Sequence, residues 1–125
     1  MNTTTTFQAV VLAPDGSVET VSWTPTSDEP TYRHIQKYVG GLVDVVVLAR
    51  DMDLWVNDDG AILGLEPNLY ATFLAAYLSG RTLAQPIFGP VVFTGGADAE
   101  GETTSLSDEA VRLFPVAVNA LRELM

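Results

Sequence analysis

The chain has 125 residues, 47% of them hydrophobic, and its 16 Asp and Glu against 6 Lys and Arg give a formal net charge of -10. That is the size of one domain with a core of its own, and a field of that sign excludes ordinary nucleic-acid binding and docking on anionic lipid, because it repels phosphates. Cysteine is absent, which excludes disulfide frameworks, thiolate zinc sites and cysteine nucleophiles.

Residues 1–6 read as a disordered tail ahead of a single domain over 7–125. No basic start leads into a long apolar run, so no secretory signal is expected. No apolar stretch approaches the roughly 18 residues that span a bilayer. The expectation is a cytoplasmic protein that does not engage membranes.

"FQAVVL" (7–12) and "SVETVSW" (17–23) read as strands joined by the turn "APDG" (13–16). Pro30 opens a helix over "TYRHIQKYV" (31–39), with Tyr32, Ile35 and Val39 on one face, Arg33 and Lys37 on another, and Gly40-Gly41 as its stop. "LVDVVVLA" (42–49) is nearly continuous in apolar residues, the pattern of a central strand buried on both faces. "DLWVN" (53–57) and "AILG" (61–64) suit a hairpin around "NDDG", with Asn57 first in the turn and Gly60 at positive φ.

"LYATFLAAYLSG" (69–80) is helical, with Tyr70, Phe73, Leu74, Tyr77 and Leu78 as the buried stripe and Gly80 as its end. "PIFGPVVFTG" (86–95) is a strand interrupted at Gly89-Pro90, which places that end at an edge or a bulge. An acidic loop, "GGADAEGETTS" (95–105), leads to a last helix capped by Ser107, with Leu106 and Val111 as a hydrophobic staple. Its stripe is Ala110, Phe114, Ala117, Val118, Leu121 and Met125, and Pro115 should kink it or split it. The order is β-β-α-β-β-β-α-β-α, an α+β domain with a mixed sheet and about three helices.

Four groups invite chemistry. "DMDLWVNDDG" fails as a calcium loop, because Asp51 and Asp53 are followed by Trp55 where the third ligand belongs; Asp58 and Asp59 fit the turn. Asn68 fits an N-cap, and a helix N-terminus is also where an anion binds. Arg33, His34 and Lys37 form the one cationic island, flanked by Tyr32 and Tyr38; it reads as a solvated face or as a contact for an anion or partner. Asp98, Glu100 and Glu102 alternate in a loop whose glycines suit a solvated turn better than a weak calcium site. One histidine builds no zinc site, and neither H-E-x-x-H, G-x-S-x-G, G-x-G-x-x-G nor a P-loop occurs. No metal, cofactor or catalytic residue is expected.

Three pieces stand in a suggestive order: "IQKYVGGLVDVVVL" (35–48), "LWVNDDGAILGLEPNLYAT" (54–72) and "IFGPVVFTG" (87–95). Together they resemble domain-of-unknown-function family 3846, small proteins of bacteriophages, plasmids and actinobacteria. The likeness rests on Gly40, Gly41, Asn57, Gly60, Gly64, Asn68 and Thr72. Pro90 departs from the polar residue expected after the I-x-G strand. The resemblance implies a phage or mobile-element accessory protein and carries over no catalytic residue.

The resulting expectation is a small acidic, non-enzymatic module that contacts a host protein, with room for a self-association face and a homo-oligomer on the last helix or a strand edge. One alternative is a small-ligand binder, such as a sponge for a nucleotide signal, that uses Arg33, His34, Lys37, Tyr32 and Asn68. Another is a DNA mimic, which needs acids along one face; here they fall in separate groups.

Overall fold

The computed structural model describes residues 6–125; of the expected disordered tail only Thr6 falls within them. A turn over Ala13–Gly16, closed by a 2.9 Å bond from the Gly16 N–H to the Ala13 carbonyl, folds β1 (Phe7–Leu12) antiparallel onto β2 (Val18–Trp23). The period of two then separates two cores. Phe7, Ala9, Val11, Val21 and Trp23 point to one side of the sheet, and Val10 and Leu12 to the other.

Helix α1 (Thr31–Val39) starts after Pro30 and ends at Gly40, whose φ of 90° is the left-handed cap. It buries Ile35 and Val39 in the first of these cores. Tyr32, expected beside them, is exposed. The helix carries the chain from β2 at one edge of the sheet to β3 (Val43–Ala49) at the other. A tight turn at Arg50-Asp51 then gives β4 (Met52–Asn57). Next come α2 (Leu69–Ser79), β5 (Val91–Thr94) and α3 (Asp108–Leu124). The sheet is five-stranded in the order β2-β1-β5-β4-β3, with every pairing antiparallel. One helix covers one face, and α2 and α3 cover the other.

The α+β class, the three helices and their order are as the sequence implied, with five local differences. The sheet is antiparallel throughout, not mixed. The central strand is the short β5, whose four residues are all buried, while β3 is an edge strand with Val47 60% exposed. An apolar run does not tell a central strand from an edge strand whose open side is capped. Here the Asp44 carboxylate accepts from the Val45 N–H at 2.9 Å, and Arg81 donates to the Val47 carbonyl at 2.9 Å. Charged groups of this kind blunt an edge against further pairing.

Residues 61–64 form turns, not a strand. Asn57 does begin a turn, with its carbonyl 3.3 Å from the Gly60 N–H, but the positive φ falls at Gly64. Both sides of β4 are already taken by β3 and β5, so no place in the sheet is left for these residues. Ile62 accordingly stands 86% exposed. The fourth difference is the buried side of α2, which is Ala71, Leu74 and Ala75, while Phe73 and Tyr77 face outward.

Finally, α3 runs unbroken through Pro115. Ser107 caps it as expected, its Oγ accepting from the Ala110 N–H at 3.1 Å, and both Leu106 and Val111 join the core there. Pro115 is exposed, so the turn missing its N–H lies toward water. Pro115→Ala is expected to stabilise the fold by about 1–3 kcal/mol, since it restores one helical bond and removes the ring's clash. Urea unfolding monitored by circular dichroism checks this; an unchanged or lowered midpoint refutes it.

Candidate functional site

The cationic island is partly paired by one carboxylate. Glu29, in the connector before α1, reaches Lys37 Nζ at 2.6 Å and stands 3.5 Å from His34 Nε2. The Lys37 ammonium bonded to Glu29 holds that carboxyl below its usual range. His34 lies flat on Trp23, with ring centroids 5.3 Å apart, and Trp23 stacks in turn on Phe7. Its imidazole is therefore mostly packing, and its Nε2 has no hydrogen-bond partner. Arg33 leans over the Tyr32 ring, 5.7 Å from the centroid. Tyr32 also borders an open groove of about 510 Å³, with a mixed polar and apolar lining, between the 25–31 segment and the loop at Gly101–Thr103.

Asn68 is not on this surface. It is fully buried and all its polar atoms are used. Its Oδ1 accepts from the Ala71 N–H at 3.0 Å, the helix cap; its Nδ2 donates to the Leu12 carbonyl at 3.0 Å and to the Gly89 carbonyl at 2.9 Å. The structure thus separates Asn68 from Arg33, His34 and Lys37. The acidic loop likewise closes on itself: Asp98 Oδ1 accepts from the N–H groups of Glu100 and Glu102, each at 2.9 Å. Among the described residues, no three His, Cys, Asp or Glu side chains converge as a metal site.

One acid stands apart. Asp53 on β4 is nearly buried between Val47 of β3 and Thr94 of β5, on the sheet face that also carries Trp55. Burial raises its pKa above the ordinary 3.8. The folded state then holds this proton more tightly than the unfolded state. Stability is therefore lost as pH rises from the unfolded value through the folded one. Asp53→Asn is expected to raise the urea midpoint at pH 7, with the advantage over wild type shrinking as pH falls toward 3.8. An advantage that does not change with pH would refute the assignment.

The feature that reading the sequence missed lies between α2 and α3. Helix α2, "LYATFLAAYLS", carries no charged side chain on any face. A surface helix ordinarily shows water a polar side. Here Leu69, Phe73 and Tyr77, spaced four apart, form an outward stripe in which Phe73 is 50% and Tyr77 83% exposed. Leu113 of α3 stands 51% exposed across from Tyr77. Between the helices runs an apolar groove of about 270 Å³, lined by Leu74, Tyr77 and Leu78 on one side and Ala110, Leu113 and Phe114 on the other. Its charged residues are Asp51 and Glu109; no basic side chain lines it. The signal was present in the sequence as an uncharged helix in an otherwise acidic chain.

A family model described as "Domain of unknown function (DUF3846)" matches residues 7–117. The chain belongs to that family. No curated protein and no solved structure matches it. In this DUF3846 chain, the residues that carry the resemblance are joints of the fold. Asn57 Nδ2 donates to the Val39 carbonyl at 3.4 Å while its Oδ1 accepts from the Asp59 N–H at 2.8 Å, so one amide ties the end of α1 to the turn after β4. Gly41 lies under that amide, and a Cβ on Gly60 would meet Phe88 at 3.0 Å. Thr72 Oγ1 donates to the Asn68 carbonyl at 2.8 Å and accepts from the Ile87 N–H at 3.0 Å.

Replacing Asn68 tests this reading of the DUF3846 motif as architecture. Asn68→Ala leaves two buried carbonyls without donors and removes a cap, a loss of about 2–4 kcal/mol. Asn68→Asp keeps the cap to Ala71 but sets a carboxylate against both carbonyls. It is expected to unfold earlier than wild type at pH 7 and to recover part of the difference in acid. A midpoint within error of wild type for both variants would remove the structural role.

Proposed function

We propose that this protein is a small, acidic, non-enzymatic accessory module of phage or mobile-element type that acts in the host cytoplasm by binding a host protein. The observation that carries the reading is the uncharged helix α2, whose Leu69-Phe73-Tyr77 stripe stands in water beside an apolar groove. Burying large apolar side chains is worth about 25 cal/mol per Å². Contiguous exposed apolar surface of this kind marks interaction sites. The groove, at about 270 Å³, falls just below the roughly 300–1,000 Å³ usual for small-molecule pockets. It suits the side chains of a docking protein better than a cofactor. No helix among the described residues is long and apolar enough to cross a membrane.

The small-ligand alternative draws less support. Glu29 already occupies Lys37 and sits beside His34, so a phosphate arriving at these two side chains competes with a carboxylate. Asn68, its expected helper, has its side chain engaged in the fold. The mimic alternative needs a continuous acidic face, whereas the carboxylate of Asp98 is engaged by the N–H groups of its own loop.

The full chain, immobilised and exposed to host lysate, separates these readings. Wild type and an Arg33→Ala/Lys37→Ala variant are both expected to retain the same host protein, and a Phe73→Ser/Tyr77→Ser variant to lose it. Loss with the α1 variant instead, together with a rise in Tm of wild type on adding nucleotides, would transfer the function to the cationic island.

A further inference from the structure

Resting on the protein-binding reading, we infer that the α2–α3 groove takes a basic amphipathic helix of its partner. Three observations choose this occupant. First, both walls of the groove are helices, whose backbone groups are bonded internally. An extended peptide laid there would find no N–H or C=O to pair with, whereas a helix brings its own bonds satisfied. Unlike the edge strands β2 and β3, the groove offers an extended peptide no free backbone, and even on β3 the Val45 N–H and the Val47 carbonyl are already taken by Asp44 and Arg81.

Second, the groove is apolar along its floor and has Asp51 and Glu109 as its charged residues, with no Lys or Arg in its lining. An occupant therefore needs large apolar side chains at three and four residue spacing and a cationic side chain where it passes these two carboxylates. Third, the net charge of -10 attracts such a helix from a distance and speeds its arrival. The same charge opposes a second copy of the chain, which would carry a further net charge of -10.

The test uses the full-length protein and labelled synthetic peptides of about 18 residues, long enough to run past α2 at 1.5 Å per residue. One peptide carries leucine at three and four residue spacing with lysine on its other faces. A second keeps the leucine frame with glutamate for lysine. A third keeps the composition of the first but scrambles the stripe, and a fourth breaks the first with prolines. Fluorescence anisotropy is expected to show saturable binding of the first peptide, with the other three at least tenfold weaker. Tyr77→Ala/Leu113→Ser and Asp51→Asn/Glu109→Gln are each expected to weaken the first peptide at least tenfold. Removing acids elsewhere, in Asp98→Asn/Glu100→Gln/Glu102→Gln, should change its affinity less than twofold. Circular dichroism of each variant establishes that it is folded.

If the glutamate or proline-broken peptide binds as tightly, and through Tyr77 and Leu113, the helix or charge assignment is overturned while the protein-binding reading stands. If the loop variant weakens binding as much as the groove variants do, the attraction is general charge and the inference fails. A sedimentation mass of two chains that returns to one in Tyr77→Ala/Leu113→Ser assigns the groove to a second copy and also overturns it. Absence of binding by every peptide, with wild type still retaining a host protein through Phe73 and Tyr77, rejects the inference alone. Loss of both rejects the two together.

Discussion

One side-chain amide holds distant parts of this chain in register. Asn68 donates to Leu12 at the end of β1 and to Gly89 just before β5, and it accepts from the first turn of α2. Leu12 lies 56 residues before Asn68 and Gly89 lies 21 after it. An apolar side chain in the same place would fill the volume and leave two carbonyls and an N–H unpaired in a dry setting, which is costly. The amide is the side chain that supplies both donors and one acceptor at once. Thr72, one turn along α2, fastens the same segment again through the Ile87 N–H. Position 68 therefore fixes where α2 begins and how residues 87–89 approach the sheet before Val91 enters its centre.

The placement of α2 decides the character of the surface. Once its Ala71, Leu74 and Ala75 are pressed on the sheet, Leu69, Phe73 and Tyr77 have nowhere to go but outward. Small residues on the inner side permit close approach, and the large residues are left on the outer side. This inverts the usual arrangement for a surface helix and gives the apolar stripe its meaning as a contact. On the other face of the sheet, α1 is drawn down by Ile35 and Val39, Glu29 pairs with its Lys37, and its Arg33 leans over Tyr32. The two faces thus differ in kind: one is closed by ion pairs and aromatic stacking, the other is open and apolar.

Much of this was legible from residue types. Helix boundaries followed from Pro30, Gly40, Asn68, Gly80 and Ser107, because caps and stops are decided within a few residues of chain. The β1–β2 hairpin followed from its turn. Other features were not legible, for reasons that share one cause. Whether "LVDVVVLA" lies at the centre or the edge depends on how α1 crosses the sheet. Whether "AILG" is a strand depends on whether β4 has a free side, and β5 had taken it. The stripe of α2 was misassigned because an apolar helix offers no polar face from which to take its orientation.

The sequence by itself determined the α+β class, the helices and their caps, and a charge that repels phosphate, since these rest on local sterics and on counting. It also carried the family, because the glycines and asparagines of the motif are needed at fixed points along the chain. Only the tertiary structure decided that Asn68 is a buried joint, that Glu29 quiets the cationic island, and that α2 turns its aromatics to water. Each of those depends on which side of an element meets a neighbour distant in sequence, and an order of residues does not state that until the chain has folded.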